Sequence, residues 1–157
     1  MAVAITLKQF LSNRNVAYET LLHEYTQSAL ESASKAHIPG DRLAKAVLLT
    51  SGSGQFVLAV LPATHLLEMD KISEYLGMDV YLASEDDMAE LFTDCAIGAI
   101  PPAGKAYGLK TVWDDSLSRI DDIYFEGGDH NTLVHVNKDA FLRIMADSEH
   151  TILSHHL

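Results

Sequence analysis

Cysteine is almost missing from this chain: Cys95 stands alone. One thiol forms no internal disulfide, and it fits a reducing compartment. It has no neighbouring cysteine for a metal knuckle, and nothing around it marks it off from a small core residue. Bases are scarce too. Eleven lysines and arginines face 22 acids, a formal net charge of −11. That deficit argues against DNA and against broad, sequence-independent nucleic-acid binding, which needs many cations at phosphates. It leaves room for a protein that grips only the end of a nucleic acid. No apolar run approaches the roughly 20 residues that cross a bilayer. Met1 to Phe10 has neither the charge pattern nor the apolar block of a signal peptide. Together these absences predict a cytoplasmic protein with no membrane partner.

Linkers, repeats and low-complexity segments are missing as well. Residues 1–157 therefore read as one domain, and with 48% hydrophobic residues the chain has enough apolar mass for a real core. Eight histidines invite a metal. None sits in an HExxH or Cys/His ligand set, and His130 and His135, five apart, would need Asp129 or a distant ligand, so neither metal nor cofactor is expected. Walker, GxSxG and GxGxxG motifs are likewise missing. Lys35, Arg42 and Lys45 make a locally basic run. The acids of 85–87, 114–115 and 121–122 read as a solvated surface.

The apolar spacing predicts a first helix through Ile5, Leu7 and Leu11 with Thr6 as its cap, then a strand over 17–22. A helix follows over 28–36, stopped before Pro39-Gly40. Segments 43–50 and 55–61 read as a hairpin around a Ser-Gly-Ser-Gly turn. Leu66, Leu67, Met69, Ile72 and Leu76 predict a helix over 65–76, closed by Gly77. A short strand over 80–82, a helix opened by Ser84 with Asp87, and strands over 110–113, 123–125 and 132–136 follow. A helix over 139–146 closes the domain, and 150–157 has no period and reads as a frayed tail. The mixture predicts an α+β fold: a mixed, partly barrel-like sheet of about six to seven strands surrounded by helices.

Three places carry candidate chemistry. Lys45 shares a strand face with Leu43, Val47 and Leu49, so its ammonium either snorkels to water or binds an anion. Gly98-Ala99-Ile100-Pro101-Pro102-Ala103-Gly104 is a stiff, irregular loop. It is either a plain connection or a scaffold that aims backbone N–H groups at developing negative charge. Gly127-Gly128-Asp129-His130 is either a hairpin turn or a turn that presents Asp129 and His130 at a site.

In this order and spacing, with 109–114 and 123–125 between the last two, the three segments resemble the YbaK family, whose domain is also inserted in bacterial prolyl-tRNA synthetases. The resemblance covers most of the chain. It implies a mixed sheet with surrounding helices, and hydrolysis of the ester joining a wrong, small amino acid to tRNA. It implies a catalytic role for Lys45, Gly98 and His130. Lys45 would engage the terminal adenosine, and the GxxxP loop would hold the 3′ end and position water. Ala99, Ile100, Pro101, Pro102, Gly104, Gly128 and Asp129 would line the substrate. It implies no metal and no covalent intermediate, with mischarged tRNA as partner and an aminoacyl-tRNA synthetase as a further one. Ala46 follows the lysine where some subgroups carry asparagine, and Asp129 adds a negative charge before the histidine. Two other readings share the fold: a module that binds a tRNA end or nucleotide without turnover, and a sensor for an amino-acid-like ligand.

Overall fold

A computed structural model describes residues 3–157 of the chain. Helix α1 (Ile5–Asn13) turns Leu7 and Leu11 fully inward. Its N-terminus is not capped by its own sequence. Thr6 instead donates its backbone N–H to the Asp94 carboxylate at 2.8 Å, 88 positions away. Local capping rules predicted Thr6 as the cap; a carboxylate from a distant loop satisfies the same orphan donor.

Strand β1 (Glu19–Leu22) leads to α2 (Ala29–Lys35), whose Ser28 side chain accepts from Glu31 N at its N-terminus. The hairpin is β2 (Leu43–Thr50) and β3 (Phe56–Pro62). Next come β4 (His65–Leu67), α3 (Met69–Leu76), β5 (Tyr81–Leu82) and α4 (Glu85–Leu91). Ser84 and Asp87 make the reciprocal capping box expected of them. Strands β6 (Lys110–Asp114), β7 (Asp122–Glu126) and β8 (Thr132–Asn137), helix α5 (Lys138–Ile144), and strands β9 (Glu149–Thr151) and β10 (Ser154–His156) complete the chain.

Eight strands form one mixed sheet in the order β1-β8-β7-β2-β3-β6-β9, with β5 attached to β2. The pairs β2/β7, β3/β6 and β6/β9 are parallel. Alternation along β2 divides the protein. Ala44 and Leu48 enter the main core with Leu58, Val60, Trp113 and Phe125. Leu43 and Leu49 enter two smaller clusters on the other face. Lys45 belongs to that second face.

Two expectations fail at the C-terminus. Residues 65–67 are strand and not the first turn of a helix, and 150–157 is ordered. The cause is shared: β10 pairs antiparallel with β4, while β9 joins β6 at the sheet edge. Neither strand has a pattern of its own, because each is three residues long and is held by its partner. Asp114 is the clamp. Its carboxylate accepts from Leu153 N (3.0 Å), Ser154 Oγ (2.7 Å) and Ser116 N (2.9 Å). Burial pushes this group's pKa up, but the hydrogen bonds outweigh it and hold the carboxyl below its ordinary value. A lowered carboxyl stabilises the fold above its unfolded pKa, and that contribution is lost as pH falls. Asp114→Asn is therefore expected to reduce stability by about 2–3 kcal/mol at neutral pH. The gap to wild type should close below about pH 4. Urea denaturation at several pH values checks both.

No helix among the described residues is long and apolar enough to cross a membrane.

Candidate functional site

The outer edge of β2 is shared between two partners. Leu43 and Ala44 pair with Tyr124 and Phe125 of β7, whereas Leu49 and Thr50 pair with β5. The β2/β7 ladder therefore ends at Ala44 and Phe125. The next residues along the two strands are Lys45 and Glu126, so a cation and an acid follow at the fork where the β2/β7 pairing stops, Glu126 at the carboxyl end of β7. Crevices of this kind, where neighbouring strands part, are where open sheets hold ligands.

Lys45 is half-buried there. Its Nζ donates to the His65 carbonyl at 2.8 Å and reaches the Ala63 carbonyl at 3.5 Å. Among the described residues no carboxylate pairs with it. Burial pulls its pKa below the ordinary lysine value. An arriving anion would offset that by favouring the charged form. The carbonyls hold the ammonium in place without neutralising it.

The turn after β7 joins this fork to the glycine-proline loop. Ala96 donates its N–H to the Gly128 carbonyl at 2.7 Å. His130 Nε2 lies 2.6 Å from the Ile97 carbonyl. A carbonyl only accepts, so Nε2 carries the proton and a neutral ring keeps Nδ1 as its acceptor. His130 itself is a non-glycine residue at φ +65, a strained conformation held by this bond and by contact with Tyr25, 5.2 Å between ring centres. Asp94 anchors the loop from the other side, accepting from Tyr107 Oη at 2.9 Å as well as from Thr6.

Gly98 is exposed and has φ +86. A Cβ there would lie 3.3 Å from His130 Cε1. From Ala99 the loop dives inward. Ala99 N–H is spent on the Ala96 carbonyl and Gly104 N–H on the Pro102 carbonyl. Among the described residues the N–H groups of Gly98, Ile100 and Ala103 have no such partner; Gly98 is the exposed one, while Ile100 and Ala103 are buried. Pro101 and Pro102 are buried, and Ile100 and Ala103 belong to the main core. Gly104 is required for close approach, since a Cβ would fall 2.0 Å from Thr111 Oγ1.

The structure thus gathers Gly98, Gly128 and His130, while Lys45 lies on the strand next to the one that leads into their turn. It does not bring Ile100, Pro101, Pro102 or Gly104 to the surface of the fork as side-chain contacts; they brace the loop from within. Asp129 is committed to its own turn. Its Oδ1 accepts from Asn131 N (2.9 Å) and Thr132 N (2.8 Å), and its Oδ2 from Thr132 Oγ1 (3.1 Å). Cys95 is inert by burial, which raises its pKa to about 11.

Sequence reasoning passed over one group. Glu126 is 8% exposed, and its Oε1 accepts from Ser32 Oγ at 2.8 Å. Ser32 in turn is 2.5 Å from Thr26 Oγ1. An acid closing the apolar strand Ile123-Tyr124-Phe125, immediately before Gly-Gly, was the available signal.

A separate surface depression of about 500 Å³ is lined by Lys105, Lys110, Asp147 and Glu149 among others. Its charges are of both signs and solvent-facing, and it contains none of the buried polar groups that mark the fork.

Residues 23–144 match the family described as aminoacyl-tRNA editing domain. The chain is 35% identical over 96 residues to the multifunctional Ser/Thr-tRNA deacylase ProXp-y of Escherichia coli strain K12, covering 60% of this chain and 57% of that one. It is 29% identical over 120 residues to a proline–tRNA ligase of Trichlorobacter lovleyi, covering 74% of this chain and 21% of the ligase. The chain therefore spans between a fifth and little over half of these relatives. The fold matches the crystal structure of hypothetical protein APE2540 with a TM-score of 0.83 at 20% identity, over 96% of this chain and 99% of that one. It also matches a candidate trans-editing enzyme for prolyl-tRNA synthetase with a TM-score of 0.82 at 20% identity, over 96% and 95% of the two chains.

Proposed function

This chain belongs to the aminoacyl-tRNA editing domain family, and on that premise we propose that it hydrolyses the ester of tRNA carrying a wrong, small amino acid. The observation that carries this reading is the fork. Lys45 is half-buried with no acidic partner among the described residues, and the turn after the neighbouring strand β7 is bonded to a loop whose exposed Gly98 N–H has no backbone partner.

The chemistry is that of an activated ester. Lys45 holds the phosphate of the terminal adenosine and so fixes the ester's position. Water attacks the acyl carbon, and negative charge grows on the carbonyl oxygen. The exposed Gly98 N–H stabilises that charge; one such donor is worth about 3 kcal/mol. The acyl carbon–oxygen bond then breaks and the water's proton passes to the ribose oxygen, with the neighbouring hydroxyl assisting. Free amino acid and tRNA are the products. His130 sets the loop through its bond to Ile97, and its Nδ1 faces polar groups of the substrate. Ala99, Ile100, Pro101, Pro102 and Gly104 keep the loop stiff, and Gly128 and Asp129 hold the turn.

With net charge −11, the domain offers few phosphate contacts beyond the acceptor end. A synthetase partner would supply the remaining tRNA affinity. The compartment implied is the cytoplasm, where charged tRNA is used.

A panel of mischarged tRNAs tests the reading, with seryl- and threonyl-tRNA first because the E. coli relative is named for them. Release of at least one amino acid well above the spontaneous rate is the expected result. Tight binding with every ester intact would instead make the domain a non-catalytic reader of the tRNA end.

A further inference from the structure

Glu126 has no task in that reaction, yet it ends the strand next to the one carrying Lys45 and leads into the turn that carries His130. It is buried to 8% exposure. One oxygen is fixed by Ser32, itself held by Thr26. The other, Oε2, is buried and has no hydrogen-bond partner among the described residues. An unpartnered buried carboxylate oxygen is costly and calls for a ligand.

Resting on the deacylase reading, the geometry points to Glu126 as the receptor for the α-ammonium of the esterified amino acid. The substrate end carries two opposite charges close together, a phosphodiester and an ammonium. The fork offers their complements on adjacent strands, Lys45 for the anion and Glu126 for the cation. Ser32 turns one carboxylate oxygen away and leaves the second for a single –NH₃⁺ donor. The nearest base, His23 Nε2, stays 3.7 Å from Oε1 and is itself without a hydrogen bond among the described residues. It does not occupy the ammonium's place. Burial raises the pKa of Glu126 above its ordinary value, and an arriving cation would favour the ionised form. Because the carboxyl is buried against Ser32 and His23, binding begins with a local opening of the chain around it.

The consequence is selectivity for a free amine. Peptidyl-tRNA and N-formylated esters lack the charge, would leave Oε2 unpaired beside an acyl group, and would escape hydrolysis.

The test uses the full chain and two non-hydrolysable probes: 3′-serylamido-adenosine 5′-monophosphate and its N-acetyl derivative. Calorimetry at pH 7 should show wild type binding the free amine at least tenfold more tightly. Glu126→Gln, which keeps the shape, should bind the two alike. Should that variant fail to fold, Ser32→Ala, which frees Oε1, should narrow the preference severalfold. Equal binding of both probes by wild type overturns the inference. So does a preference that survives in Glu126→Gln, or failure of the free-amine probe to bind. Hydrolysis of seryl-tRNA and N-acetylseryl-tRNA separates the two claims. Equal cleavage sinks the ammonium receptor and leaves the deacylase standing. A preference in binding with no cleavage of any ester sinks the deacylase and leaves the receptor.

Discussion

Lys45→Ala is expected to lower hydrolysis of a mischarged tRNA by about 100-fold or more, because a misplaced ester loses the advantage of position. The fold should persist. Lys45 is only half-buried, pairs with no acid among the described residues, and bonds two backbone carbonyls, of His65 and Ala63. Its removal relieves the desolvation that already depresses its pKa. Stability should therefore change by no more than about 1 kcal/mol. Lys45→Arg keeps the charge but brings a planar fork to a place holding a compact ammonium, so intermediate activity is expected. Single-turnover deacylation of a mischarged tRNA, alongside thermal melts, measures both quantities. Full activity in Lys45→Ala would remove the phosphate clamp from the mechanism. Loss of activity together with loss of the fold would make the residue a structural one.

Gly98→Ala should be the second severe change, for two separable reasons. The position has φ +86, which a side chain tolerates at a cost of about 1 kcal/mol. The added methyl would also sit 3.3 Å from His130 Cε1 and 4.0 Å from the Gln27 carbonyl. His130 cannot yield freely, because its Nε2 is bonded to the Ile97 carbonyl at 2.6 Å. Rotation of the 97–98 peptide relieves the contact and re-aims the Gly98 N–H. If that donor meets the oxyanion, kcat should fall about 100-fold, while denaturation midpoints shift only modestly. A variant with normal kcat would show that the free N–H groups of this loop are not the electrostatic element.

Much of the framework was legible. The alternation of 43–50, the Ser-Gly turn and the returning strand specify the β2/β3 hairpin locally, and Ser84 with Asp87 specify a helix start three residues apart. Lys45 announced itself as a cation in an apolar strand. The Gly98 loop announced itself by rigid composition, and both are the residues on which the proposed reaction rests. Thr6 misled because its N–H is satisfied by Asp94, whose approach is set by α4 and the loop beyond it. Residues 65–67 misled because their apolar spacing suits a helix until β10 arrives to pair with them.

Glu126 was the residue that reading along the chain missed. As a lone acid at a strand end it looks like surface. Only the packing of α2 over β7, which brings Ser32 to one of its oxygens and leaves the other without a partner among the described residues, makes it a buried, half-satisfied carboxyl. The division follows the range of the forces. Periodicity, glycine dihedrals and caps act within a few residues, so the amino-acid order alone determined the hairpin, the stiff loop and the odd lysine. Burial and pairing between distant strands act across the whole chain. Only the tertiary structure, by ending the β2/β7 pairing at Ala44 and Phe125, decided that Lys45 and Glu126 follow on adjacent strands and that His130 is bonded to the Gly98 loop.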